Sequence, residues 1–594
     1  MTVVESLSYE ELLSLFLRYS GYPNTKDDGI PIGETPPLNM PEATLEFIDF
    51  LVEEMEDRIE QVQPFSPQYA KCLDHRLVTF EEFEMLFSEA IDESEYIYHR
   101  AYDFYMIETY DQKRNLLSGI KRDYRGYMRL LQKSQASSIP FFFKPVEMRL
   151  PKDGLERHMH IMAKTGQGKS NLLKVIIHEL QSEQKKQSIV VIEPHGDLAE
   201  ELRDFALNIK DPERLIYIDP YYHKGYVPVI NPFDIKDTSR QNIDRYAQEL
   251  TKVFIELLKE GTKLSSQMDA VLRPAISTLL RVEGTTLEDL QDLMDSENPE
   301  VREKMVRHGM RNPYEAHRKM FARVWGAEDG EIPTTYKATL NSIFNKIQNL
   351  LNTEVFRNLT CANGGKSTID IEASVEEGKV MLFGLSKGKM GEEASQAYGK
   401  FIVSMFQSLA FKRADQNEDD RMPTFMAIDE FQNYVTDSIK VILAEARKYK
   451  MHLILSHQSI GQISNTELRD TILGNTSIKA VGIASKKTLR VMAEEMGIKL
   501  TEFDELQPFE YYIDAQSPKT KVTAKPYRTR PPAHLAKWTS RYYQDSQERK
   551  AIREDQVKKY YAPIEGAANP IKQHTNEPKS DVVAESGAKP KYDL

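Results

Sequence analysis

The sequence predicts an α/β architecture built on a mainly parallel sheet. Three observations predict it: seven short apolar runs between about residues 140 and 530, helical patterns between them, and one glycine-rich turn that joins a strand-like run to a helix. The runs are MHIMA at 159–163, SIVVIE at 188–193, RLIYID at 214–219, KVMLFGL at 379–385, TFMAID at 424–429, HLILSH at 452–457 and SIKAVGI at 477–483. Apolar runs this continuous, without polar alternation, suit strands buried on both faces under helices.

Between the third and fourth runs lies a long stretch without strand signals. It contains NIDRYAQELTKVFIELLKE, SQMDAVLRPAISTLLRV and TTYKATLNSIFNKIQNLL, which predict an all-helical insertion. The expected organisation is an acidic helical region over 1–139, a first half of the α/β domain over 140–235, the insertion over 236–375, a second half over 376–530, and a helix with a flexible tail over 531–594. In the first region MPEATLEFIDFLVEEMEDRIEQV places Pro41 at a first helical position, with Leu45, Phe47, Ile48, Leu51 and Val52 at helical spacing. Such aromatic-rich amphipathic helices serve packing or partner contact, and no chemistry is assigned to them. The tail after QERKAIREDQVKKYY is rich in Pro, Gly, Ser, Lys and Glu and holds too few large apolar groups to order itself.

Composition bounds the function. The 594 residues carry 40% hydrophobic and 28% charged side chains, ordinary for a soluble globular chain, and no run approaches membrane-spanning length. The start, MTVVESLSYEELLSLF, lacks the features of a secretory signal, so a cytoplasmic protein is expected. A net charge of −13 argues against coating nucleic acid with the whole surface, while leaving room for a locally basic channel. Two cysteines, Cys72 and Cys361, make no disulfide framework, and His158 and His160, alternating on one strand, are read as strand residues and not metal ligands.

The glycine-rich turn is Ala163-Lys164-Thr165-Gly166-Gln167-Gly168-Lys169-Ser170, followed by Leu172, Leu173, Val175 and Ile176 at helical intervals. Glycines let the backbone curl its N–H groups inward, and the helix start adds partial positive charge, which together make an anion site. Lys169 is placed to reach β and γ phosphates and Ser170 to offer a hydroxyl to Mg2+, the pattern of a phosphate-binding P-loop holding ATP, with Ala163 where the first glycine usually stands.

Hydrolysis requires more, and TFMAIDEFQNY supplies it. Asp429 and Glu430 close an apolar strand at the end where ligands of open α/β sheets gather, Asp429 suited to hold Mg2+ through water and Glu430 to orient and deprotonate the attacking water. The next strand ends in His457-Gln458, and the amide of Gln458 is placed to sense the γ phosphate.

These motifs resemble the HerA/FtsK superfamily of DNA motors, and most closely the type IV coupling proteins of conjugation. The segments carrying the resemblance are DEFQNYVTDSIKVILAEARKYKMHLILSHQSIGQI, VIEPHGDLAEEL, ERLIYIDP, VINPF, KVMLFGLSKGKMGEEASQAYGKFIVSMF and ILGNTSIKAVGIASKKTLRVMAEEMG, spread over about 140–530. The resemblance implies a P-loop (RecA-like) motor domain, a hexamer with ATP between neighbours, and DNA in a central channel. It also implies that Lys169 and Ser170 are Walker A ligands, Asp429 and Glu430 the Walker B pair, Gln458 the sensor, and Arg447 the arginine presented to a neighbour's nucleotide. A relaxase, nuclease or secretion-channel protein is the implied partner.

Two departures stand out: Glu193 in EPHGD where the family often has Asp, and an acidic helical region where coupling proteins commonly carry a membrane anchor. A second reading is an ATP-gated assembly module that recruits a DNA-processing partner without moving DNA. A small-molecule kinase is disfavoured because no compact acceptor lid is visible. KVTAKPYRTRPPAH at 521–534 is either a phosphate-following stretch or a solvated linker.

Overall fold

The computed structural model describes residues 29–34, 147–183, 186–258, 265–327, 330–434, 439, 443, 445–463, 465–515, 526–531 and 547–564. Most of the expected N-terminal helical region, with Cys72, and most of the tail lie outside them. Where the first region is described it is a strand: β1 (Gly29–Glu34) pairs antiparallel with β2 (Glu147–Pro151), buries Ile30 and Ile32 and packs against the helix after the glycine-rich turn. Three isoleucine and proline positions in GIPIGE explain why the segment extends, since β-branched residues and a fixed proline φ both favour it.

All seven apolar runs form strands of one nine-stranded sheet. They are β3 (Met159–Met162), β4 (Ser188–Glu193), β5 (Leu215–Ile218), β7 (Val380–Gly384), β8 (Thr424–Ile428), β9 (Met451–His457) and β10 (Ile478–Val481); β6 (Tyr226–Val227) stands outside the sheet. The sheet order is β12-β11-β10-β3-β9-β8-β4-β7-β5, parallel from β10 to β5. Its last two members are antiparallel additions, β11 (Tyr511–Ala515) and β12 (Tyr527–Thr529), which the apolar pattern does not announce. β12 lies inside the basic stretch at 521–534, so that part of the stretch is edge strand, with the half-exposed Arg530 ion-paired to the buried Glu510.

The helices that position the site are α1 (Lys169–Ser182), which carries the glycine-rich turn at its start, and α2 (Asp197–Arg203) after β4. The insertion contains α3 (Arg240–Leu258), α4 (Ser265–Leu279), α5 (Leu287–Met294), α6 (Pro299–Met310), α7 (Glu315–Trp325), α8 (Thr334–Leu351) and α9 (Glu354–Cys361). It joins the sheet through α10 (Glu392–Lys412), where Phe401 meets Phe254 and Phe356 at ring-centroid distances of 5.2 and 6.3 Å. Beside them the buried Gln407 donates to Glu249 at 3.0 Å, so the join is apolar with one polar contact. Asn231 pins the insertion's return by donating to the carbonyls of Thr285 and Gly365, both at 2.7 Å.

The far edge of the sheet is closed by α11 (Gln547–Tyr560). Gln556 accepts from Tyr217 N at 3.2 Å and donates to Leu215 O at 2.8 Å, replacing the strand that β5 lacks on that side, and Tyr561 Oη adds a bond to Tyr217 O at 2.8 Å. An edge covered in this way offers no template for another chain. Among the described residues no helix is long and apolar enough to cross a membrane.

Candidate active site

The site forms where β3, β8 and β9 end side by side. β3 runs into the glycine-rich turn, whose Gly166 and Gly168 take φ of 79° and 86°, left-handed values that glycine reaches without penalty. Gln167 N bonds to Lys164 O at 3.2 Å and Lys164 N to Ile483 O at 2.8 Å, which fixes the curl from both sides. Ala163 is buried beside Gly482, where an added methyl would stand 3.0 Å from the alanine Cβ, so the glycine at 482 leaves the room that the alanine occupies. Lys164, Thr165 and Gly166 are exposed, Gln167, Gly168 and Ser170 half-buried, and Lys169 buried at the first turn of α1.

Lys169 meets both carboxylates of the neighbouring strand. Its Nζ lies 3.2 Å from Asp429 Oδ1 and is bonded to Glu430 Oε1. Glu430 adopts φ 46° and ψ 48°, a left-handed conformation uncommon for a non-glycine residue, in the turn that aims its carboxylate back at the lysine. Its oxygens also accept from Gln458 Nε2 at 3.0 Å and Gln432 Nε2 at 2.7 Å. Burial works against its ionisation, but Lys169 and these two amides outweigh it, and the Glu430 carboxyl is held below its usual range.

Asp429 Oδ1 accepts from Ser456 Oγ at 2.7 Å. Glu193, at the end of β4, caps the backbone before α2 by accepting from His195 N at 2.5 Å and Gly196 N at 2.6 Å. Burial, with the Asp429 charge beside it, pushes the Glu193 carboxyl up to about 7 in spite of those donors. Below the turn His160 and His457 share an Nε2 to Nε2 hydrogen bond of 2.7 Å between stacked rings. Burial and the Lys169 charge push His457 down to about 3, and burial with His457 and Lys479 holds His160 well below its usual value, so both rings are neutral.

The structure thus brings Lys169, Asp429, Glu430 and Gln458 together and leaves Arg447 outside. Arg447 is exposed on the turn Ala446–Tyr449 before β9, at the opposite end of that seven-residue strand, about 20 Å away at ~3.3 Å per residue. Ser456, Gln432 and the supporting Phe509 and Tyr511 were not singled out in the sequence. Ser456 follows the apolar Leu453, Ile454 and Leu455 in HLILSH and Gln432 follows Glu430 by two, weak local signals; nothing near Phe509 points to a turn more than 300 residues upstream.

Curled amides, a helix start and a lysine can hold a polyphosphate, and a serine hydroxyl with carboxylates offers the oxygen donors that Mg2+ prefers. Ser170 is half-buried at the helix start, and Asp429 is buried and oriented by Ser456, so the residues present fit that ion.

Residues 129–406 match the family described as "Helicase HerA, central domain", and residues 423–507 the family described as "TraM recognition site of TraD and TraG". Among solved structures the chain is similar to the plasmid coupling protein TrwB in complex with a non-hydrolysable GTP analogue, at 13% identity and a TM-score of 0.47, covering 65% of this chain and 88% of that one. It is also similar to VirB4 of Thermoanaerobacter pseudethanolicus, at 14% identity and a TM-score of 0.40, covering 66% and 95%. No curated protein sequence matches.

Proposed function

Since the chain belongs to the HerA/FtsK superfamily of P-loop ATPases, we propose that it hydrolyses ATP to move DNA, working as a ring, a hexamer, with each active site completed by a neighbour. The observation that carries this is the split site: Lys169, Asp429, Glu430 and Gln458 converge at one end of β9 while Arg447 stands exposed at the other.

In this reading Lys169 exchanges its carboxylate partners for the β and γ phosphates. That exchange frees Glu430 to orient and deprotonate water, a role worth roughly 10² to 10⁴ in rate. Ser170 and Asp429 would hold Mg2+, which when bound neutralises charge on the phosphates. Gln458, bonded to Glu430, registers the γ phosphate and passes its loss to the turn Ile460–Gln462 behind it. The family matched over 423–507, named for recognition of TraM by TraD and TraG, supports a DNA-processing partner such as a relaxase, nuclease or secretion-channel protein.

The test is ATP hydrolysis with and without single- or double-stranded DNA, by the parent, Lys169→Ala and Glu430→Gln. DNA-stimulated turnover abolished in both variants is expected. Slow turnover indifferent to DNA would sink the translocase and leave an ATP-gated assembly module that recruits its partner without moving DNA.

A further inference from the structure

Behind the glycine-rich turn, on the side away from the carboxylates, stands a residue that the proposed mechanism leaves unused. Phe509 precedes β11 in the turn Gln507–Glu510, with φ of 70°, a left-handed value that a bulky side chain adopts only when its surroundings hold it there. Its ring fills the space a side chain at Gly168 would need: a methyl at that position would stand 2.5 Å from Phe509 Cδ1 and 3.3 Å from Phe509 Cα.

The surroundings that hold it are specific. Glu510 accepts from Gln507 N at 2.9 Å, closing the turn, and is ion-paired with Arg530 across the hairpin. Two residues on, the buried Tyr511 donates its hydroxyl to Gln167 O at 3.1 Å. One short segment therefore touches the turn at two consecutive residues, Gln167 through a hydrogen bond and Gly168 through a ring. These are the residues just before Lys169.

An anion nest binds well only if its N–H groups converge before the anion arrives, because ordering them on binding is subtracted from the affinity. Gly168, free to rotate in a glycine's wide conformational range, is the weak point of that convergence. We propose that Phe509 is a positioning residue for the phosphate turn: its ring restricts Gly168 to the φ near 86° that points the following amides inward, and so sets nucleotide affinity. This rests on the nucleotide-site reading above. It predicts an effect on binding and little on the chemical step, since Phe509 bears on Gly168 in the phosphate turn, whereas Glu430 is held by Lys169, Gln432 and Gln458.

The experiment measures the Kd of a fluorescent ADP analogue with Mg2+, alongside kcat and KM for ATP, in the full chain carrying Phe509→Gly, Phe509→Leu or Phe509→Tyr, with Lys169→Ala as reference. Phe509→Gly keeps the left-handed backbone without strain and removes the ring. It should raise Kd and KM tenfold or more, leave kcat within about twofold, and leave the unfolding temperature no lower than the parent's. Phe509→Tyr, which keeps the ring, should bind within twofold of the parent.

A merely structural residue would lower the unfolding temperature and leave the Kd of the folded protein unchanged. A Kd for Phe509→Gly within twofold of the parent, while Lys169→Ala weakens binding, overturns the proposal and spares the nucleotide site. If Lys169→Ala also binds like the parent, the nucleotide-site reading falls and this one with it. Should Phe509→Gly not fold, Phe509→Leu decides: a several-fold rise in Kd supports the positioning role, and parental affinity overturns it.

Discussion

The two ends of β9 differ in almost every physical respect. At the His457 end the charged groups Lys169, Asp429 and Glu430 are buried and paired, and the hydroxyl of Ser456 and the amides of Gln432 and Gln458 satisfy the carboxylates. At the Met451 end Arg447 and Lys448 are exposed on a short turn held from beneath by the buried Arg413, which donates to Tyr449 O at 3.1 Å. In the proposed ring the buried, paired cluster receives the nucleotide and the exposed guanidinium on its fixed turn faces a neighbour. One strand cannot bend its ends together, so a site that uses both must be assembled from two copies.

The largest test of that contrast separates the ends by mixing. We expect Arg447→Ala to lower ATP turnover by about 10³, the scale of arginine fingers, with nucleotide affinity within a few-fold of the parent. Glu430→Gln should be inactive for the other reason. Mixed subunits of the two variants should recover part of the activity, because some interfaces then pair an intact Glu430 with an intact Arg447. No recovery, with each variant still binding nucleotide, would break the two-copy reading.

Both ends share one weakness, which acid exposes. His158 and His452 lie near Arg447, and His457 lies near Lys169; burial first, with those cations adding to it, pushes them down to about 4, 3 and 3 from an ordinary 6.5. A lowered histidine supports the fold fully above pH 6.5 and loses that support as pH falls toward its folded value, on the order of 2 kcal/mol each by pH 5. Glu193 has the opposite sign: raised to about 7 from 4.5, it favours the fold at low pH and loses that contribution as pH rises between those values. It offsets roughly one histidine, on the order of 2 to 3 kcal/mol. The unfolding temperature should therefore fall from pH 7.5 to 5. Glu193→Gln should be more stable than the parent at pH 8 and fall more steeply on acidification; a shallower fall would sink the assignment.

What the sequence made legible follows the same division. β3, β8 and β9 are continuous apolar runs whose burial on two faces leaves little freedom in assignment, and Lys169, Asp429, Glu430 and Gln458 each sit at a strand or helix terminus, where local pattern predicts position. β11 and β12 escaped notice because YYIDA carries a buried Asp514 and YRT lies in a basic stretch, so their strand character comes from pairing with neighbours. The helix α11 was visible as a pattern, but that Gln556 and Tyr561 close the edge of β5 depends on a contact across more than 300 residues. Glu193, noted only as a departure from Asp, turns out to hold the backbone turn before α2, beside Asp429, by accepting from His195 N and Gly196 N.

The smallest effect should come from Ser456, and it sharpens the contrast because it concerns one end alone. Its hydroxyl orients Asp429 without touching the place where phosphate would lie. Ser456→Ala removes one bond to a charged group, worth about 1.5 to 3 kcal/mol at most. Since the loss falls on the orientation of the carboxylate proposed to hold Mg2+, the Mg2+ concentration for half-maximal hydrolysis should rise about tenfold. Turnover at saturating Mg2+ should stay within a few-fold of the parent. Mixing with Arg447→Ala should still restore activity, because the turn before β9 is untouched. An unchanged Mg2+ requirement would mean that Asp429 is held well enough by the Glu430 amide, which donates to the same Oδ1 at 3.0 Å, and that the hydroxyl serves only to fill its own hydrogen bond.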